Sequence, residues 1–162
     1  MLALSLMHEF PPAEPLYGSV ELINVVTGAT RTWTGRGAPD HWPGIPALAG
    51  DSTVIVPWWH GASQSMIPAD ITGLRELDLA APGGSLLAAR LVAFPAPVQG
   101  LESAMIAPGG GDVIASSCRA GQHHTATARV VELSAADGRL VRVLRTQTAR
   151  FRNHADVQDA IL

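Results

Sequence analysis

Lysine is absent from this chain: all 11 basic residues among its 162 are arginine. Beside abundant alanine and glycine, that absence reads as the compositional bias of a GC-rich genome and carries no functional meaning. Charge of either sign is sparse, at 15% of residues and a formal net charge of −3. With no basic stripe and only 5% aromatics, the chain has no electrostatic or stacking footprint for nucleic acid. Arg139, Arg142, Arg145, Arg150 and Arg152 form a loose cluster that reads as the solvated face of an outer strand. Cysteine occurs once, at Cys118, which excludes an intrachain disulfide and leaves the redox compartment open. In its apolar run it reads as a buried core thiol rather than a nucleophile. No stretch reaches the ~18 apolar residues of a membrane-crossing helix. The segment Met1–Phe10 is apolar but has no basic start and only about seven residues suited to an export signal's core. It makes no convincing signal, and localisation is unknown from these features.

What the chain does have is apolar residues, at 47%, and turn formers, with 16 glycines and 12 prolines. That balance describes a globular, turn-rich, all-β domain rather than a disordered one. Three runs share a pattern: Val20–Gly28, Arg75–Gly83 and Val130–Gly138 each close an apolar stretch with a glycine, and a second apolar run follows each. Between the glycines, 83 minus 28 and 138 minus 83 both give 55. A fixed period of this size, each unit a strand, a tight turn and a strand, marks a β-propeller or a related array.

Taken in order, Leu2–Met7 is strand-compatible and the breaker Pro11–Pro15 follows it. Val20–Val26, the turn Thr27–Gly28 and the alternating Ala29–Thr34 complete a first unit that lacks an opening strand. Gly35–Gly44 reads as loop, Ile45–Leu48 as a short strand, and Ser52–Trp59 as a strong one, with Pro57 predicting an edge or a bulge. Leu74–Leu79 and Leu86–Val92 flank the turn Pro82–Gly84. The latter run and Leu140–Leu144 also fit helical spacing, but their counterpart Thr30–Thr34 is a poor helix former, so all three are expected to be strands. Gly100–Ala107, Val113–Cys118, Ala128–Ser134 and Leu140–Arg145 supply four strands in about 45 residues, the count of one propeller blade. The units are residues 1–35 (incomplete), 44–95 and 100–148, with a tail at 149–162 whose end, Asp156–Leu162, could open another unit or fray as a short helix. The whole, 1–162, reads as one all-β partial propeller of about three four-stranded antiparallel blades; a β-sandwich with a coincidental spacing is the alternative.

The segments Val20–Trp33, Leu77–Leu86 and Val131–Leu140 resemble blades of TolB-like and WD-repeat-like propellers, in particular bacterial ones found behind membrane anchors in GC-rich organisms. The resemblance covers most of residues 1–150 and rests on turn-and-strand patterns. It implies a repeat protein used for protein binding. The chain departs from it by lacking the Trp-Asp dipeptide of WD repeats and by holding about three blades where propellers have roughly four to eight. An arc of three leaves two blade faces bare, which predicts a piece of a longer protein or self-association through those faces.

No stretch specifies an activity. His123 and His124 with His41 or His60 are the best metal candidates, yet adjacent histidines on an extended chain point to opposite sides and no cysteine or carboxylate at ligand spacing joins them. A solvated loop is the better reading, and no metal or cofactor is expected. Ser63 and Ser65 beside His60 lack the Gly-x-Ser-x-Gly elbow of a nucleophile. Trp58, Trp59 and His60 could form a sugar or peptide platform, although packing between blades suits tryptophan better. Gly109–Gly111 lacks the Lys-Ser and helix of a phosphate loop and reads as a hairpin turn. The expectation is therefore a non-enzymatic propeller fragment of a longer bacterial protein, a binding scaffold with no catalytic residues of its own. The alternative is the propeller portion of a serine-peptidase-type hydrolase whose catalytic residues lie outside the chain.

Overall fold

The structure, a computed structural model, describes residues 1–8, 17–38, 41–60, 70–95, 101, 103–107, 109–120 and 125–150. These are all-β and contain no α-helix; a single 3-10 turn spans Leu86–Ala88. No helix among them is long and apolar enough to cross a membrane. The strands form three mainly antiparallel sheets, none of which closes on itself. In the first, β1 (Leu2–His8), β2 (Tyr17–Ile23) and β3 (Thr30–Thr34) run in sequence, and β8 (Gly84–Ser85) pairs with β3 in parallel. The second joins β4 (His41–Pro43) and β5 (Ala47–Ala49) to β6 (Thr53–His60), then β7 (Asp70–Asp78) and β9 (Arg90–Ala93). The third is a plain meander of β10 (Ser103–Ile106), β11 (Asp112–Ala120), β12 (Thr125–Ser134) and β13 (Leu140–Arg150).

Alternation along the strands decides how the sheets stack. On β6, Val54, Val56 and Trp58 meet Val20, Leu22 and Trp33 of the first sheet in one buried cluster. The odd member Ile55 turns the other way, into a second cluster with Val113, Ala115, Val131 and Leu133 of the third sheet. The period of two has thus been used on both faces, so the second sheet is a filling between the other two. Each of these buried aliphatic side chains contributes about 1.5–3 kcal/mol relative to exposure.

The repeated turn is real, but its register differs from the glycine spacing. The Asn24 carboxamide accepts hydrogen bonds from the Val26 and Thr27 amides at 3.0 and 3.2 Å, and the Gly28 amide donates to the Asn24 carbonyl at 2.8 Å. Ser134 receives the Gly138 amide in the same way, also at 2.8 Å. The second turn starts at Asp78, whose carboxylate accepts from the Ala80 amide at 2.8 Å. Turn starts are therefore separated by 78 minus 24 = 54 and 134 minus 78 = 56 residues, because the second turn holds one extra residue before its glycine. A one-residue offset matters in a strand, since it exchanges the two faces. Counted from the turn starts, Val20, Leu74 and Val130 correspond, as do Leu22, Glu76 and Glu132.

Four expectations change. His41–Pro43 forms a strand within the expected Gly35–Gly44 loop, because Trp42 lies in register with Trp59. Pro57 is not on an edge: β6 is central. Pro57 sits where its neighbour changes from β4 to β5, its carbonyl accepting the Gly44 amide at 2.7 Å, and the missing N–H falls in that gap. A register shift lies one residue on, between Trp58 and Trp59. The expected strand Leu86–Val92 begins only at Arg90, since Ser85 caps the 3-10 turn through the Leu87 amide and drops Leu86 into the first cluster. Finally, β13 continues to Arg150 and takes the first two residues of the expected tail. Arg139, Arg142, Arg145 and Arg150 are exposed on or beside this edge strand, as its outer position requires. Two register shifts along it, where Val141 and Leu144 are the unmatched residues, twist the edge as bulges do. Pro11–Pro15, Arg152 and Asp156–Leu162 lie outside the described residues.

The turn glycines provide a graded test. Gly28 and Gly138 both have φ of 71°, but a Cβ on Gly28 meets nothing described within 4 Å, whereas on Gly138 it comes to 3.0 Å from the Ala93 carbonyl and from the Phe94 ring. On Gly83, at φ 113°, it comes to 2.5 Å from the Thr32 carbonyl. Urea denaturation should show Gly28→Ala costing about 1–2 kcal/mol for the left-handed backbone alone, with Gly138→Ala and then Gly83→Ala progressively worse. Equal losses at all three would refute the close approach of the second and third turns to the sheets before them.

Candidate binding surface

The connections divide between the two ends of the stack. Tight turns occupy one end: Asn24–Gly28, Gly50–Asp51, the turn after Asp78, Gly109–Gly111 and Ser134–Gly138. Gly109–Gly111 is the β10–β11 hairpin turn, with φ of 95° and 73° at its first two glycines. At the other end the chain leaves β1, β6 and β11 and returns at Tyr17, Asp70 and Thr125. Binding residues are commonly found at an end of this kind, where a rigid scaffold presents its longer connections.

Side chains gather there at the seam between the first and second sheets. His41 and His60 are in register across β4 and β6, with ring centroids 4.6 Å apart and planes tilted by 39°. The His41 ring also stacks on Trp58, at 5.8 Å and 22°. Below Trp58 the Arg75 guanidinium lies 5.1 Å from the indole centroid. The result is a column, His60, His41, Trp58, Arg75, running from an exposed imidazole to a buried cation. Its regularity follows from β6, whose residues 56, 58 and 60 share a face, and from β7, which brings Arg75 opposite Val56. Asp70 is in register with His60 at the rim. Nearby, Arg36 lies over the Tyr17 ring at 5.9 Å.

Arg75 has no acidic partner among the described residues. It donates to the carbonyls of Ala89 and Leu87 at 2.9 and 3.3 Å, and its Nε is buried without a hydrogen bond. Burial lowers its pKa from the usual arginine value. The cation is held by backbone dipoles and by the face of Trp58, the arrangement that lets arginine sit where lysine would not. At its open end the column offers stacking and imidazole hydrogen bonding, the functions of a recognition surface.

Sequence reasoning singled out His41 and His60 as metal candidates and Trp58, Trp59 and His60 as a platform. The structure joins His41, His60 and Trp58 and separates Trp59: Trp58 packs between the first two sheets, while Trp59 packs half-buried against the cluster on the other side. Arg75 was missed, because a single arginine inside a strand carries no signal of what lies opposite. His123, His124, Ser63 and Ser65 lie outside the described residues. Cys118 is in β11, and its side chain is not among those described. Among the described residues, no three of histidine, cysteine, aspartate and glutamate converge in a way that could hold a metal ion. No family model, curated protein or solved structure matches the chain.

Structural and recognition parts of the column are separable by substitution. Trp58→Ala should cost about 3–5 kcal/mol by chemical denaturation. Arg75→Ala, which unpairs two part-buried carbonyls and bares the face of Trp58, should cost about 1–3 kcal/mol. His60→Ala should stay within about 0.5 kcal/mol of the wild type. A large loss at His60 would make the outer end of the column part of the core instead.

Proposed function

We propose that this chain is a three-blade segment of a β-propeller and works as a non-enzymatic binding scaffold, with the His60–His41–Trp58 end of the stack as its recognition surface. The observation that carries the reading is the direction of stacking. Val20 and Leu22 turn toward the second sheet, and their counterparts Leu74 and Glu76 turn toward the third. The opposite faces, at Leu77 and at Val131 with Leu133, turn back toward the sheet before. Each sheet thus meets its successor with the same face, as blades do around an axis. The second and third sheets end on β9 and β13, the last strands of their runs, and the connections at one end are the proposed ligand contacts. Resemblance of the turn segments to TolB-like and WD-repeat-like blades points the same way.

The architecture is tested by an experimental structure: sheets fanned about a common axis support a propeller, and sheets stacked in parallel planes support a sandwich. Recognition is tested by selecting displayed peptides against the whole chain. Peptide binding should weaken by about tenfold or more in His41→Ala or His60→Ala with folding unchanged, as for a hot-spot residue. Selected peptides that bind equally well to both variants would remove the surface from this role.

A further inference from the structure

The same directional stack contains a repeated clamp. Arg31 on β3, Arg90 on β9 and Arg142 on β13 occupy one register position, opposite Leu22, Glu76 and Glu132. Arg31 donates to the Leu79 carbonyl in the turn of the second sheet, and reaches toward Ala81 at 3.4 Å. Arg90 pairs with Glu76 at 2.6 Å and donates at 3.1 Å to the Ala136 carbonyl, in the corresponding turn of the third sheet. In both cases an arginine on one sheet grips the exposed carbonyls of the next sheet's turn. Arg142 pairs with Glu132, as Arg90 does with Glu76, but among the described residues no turn lies beyond it.

The complementary half is also present, and no described residue fills it. Asn24–Gly28 is the first copy of the gripped turn, and its Val25 and Val26 are 66% and 89% exposed. Gly83 and Gly138 each abut the last strand of the preceding sheet, whereas Gly28 meets nothing described. The forward face of the third sheet presents Val130, Ile114 and Met105, the last 70% exposed. On the backward face of the first sheet, Glu21 and Ile23 stand in register with Leu4 and Leu2 of β1. Among the described residues, one chain therefore carries a clamp without a turn at one end and a turn without a clamp at the other.

We infer that a second copy of this chain docks head to tail, the Arg142 strand of each copy gripping the Asn24–Gly28 turn of the other. The occupant is a second copy because both halves of a contact already made twice within the chain are displayed by the same molecule. Such an interface joins unlike surfaces, and two of them close a two-copy assembly if the rotation per sheet allows it. This inference rests on the propeller reading: two copies give six sheets, within the roughly four to eight blades of closed propellers.

Sedimentation equilibrium on the full chain should give twice 17.0 kDa. Arg142→Ala, an exposed change, should weaken the assembly by about tenfold, in the range of an interface hot spot. A photo-reactive benzoylphenylalanine in place of Val26, in a mixture of light and heavy-isotope chains, should cross-link to residues 139–145 of another copy. A monomer at every concentration overturns the docking and leaves the propeller reading standing. Cross-links from position 26 to the first sheet of another copy overturn it as well, because they signify like-to-like contact. Growth into filaments of indefinite length overturns closure, and the propeller reading with it.

Discussion

Everything in this fold depends on the second sheet having no face for solvent. Val54, Val56, Trp58 and Leu77 on one side and Ile55, Ile71 and Leu74 on the other are buried. Neither outer sheet can depart without exposing a row of aliphatic side chains at about 25 cal/mol for each Å². In the outer sheets, Val20, Leu22 and Trp33 of the first and Val113, Ala115, Val131 and Leu133 of the third are buried against the second. The three sheets thus stand or fall as a stack whose centre is its most constrained layer, and the aromatic column lies along one of its two seams.

Polar contacts add direction to that burial. Hydrophobic packing alone is indifferent to which face meets which. The arginines at the Arg31 and Arg90 positions are not: each requires backbone carbonyls of a tight turn at a fixed height on the next sheet. Turn glycines provide the space for that approach, at Gly83 and Gly138. His41, His60 and Trp58, all on the second sheet, are brought into line by the pairing of β4 with β6 and by the period of two along β6.

Much of this was legible in the sequence. Strong alternation located Val20–Ile23, Thr53–Trp59 and the β11–β12 pair, and glycine marked the repeated turns, although the first strand ends at Ile23, before the Asn24 turn, rather than at Val26. Weak segments were misread for identifiable reasons. His41–Pro43 is too short for a periodic signal and exists because Trp42 has Trp59 opposite it. Leu86 resembled the start of a strand because it is apolar, but its burial comes from insertion between sheets rather than from pairing. Of the column, the aromatic and imidazole residues drew attention as types, while Arg75 did not.

By itself, the sequence determined the all-β class, the repeated strand–turn–strand unit and its approximate period, because these follow from local alternation and turn chemistry. It could not determine which way each face points. Equal spacing of Gly28, Gly83 and Gly138 pairs Leu22 with Leu77, yet Leu22 points forward to the second sheet and Leu77 points back to the first. One extra residue in the Asp78 turn makes the difference, and with a side-chain period of two a single residue exchanges the faces. Only the tertiary structure, through the register of β6 with β7 and the packing of each sheet on the next, decided that the units are stacked in one direction and that Arg142 stands on an edge strand with no turn beside it among the described residues.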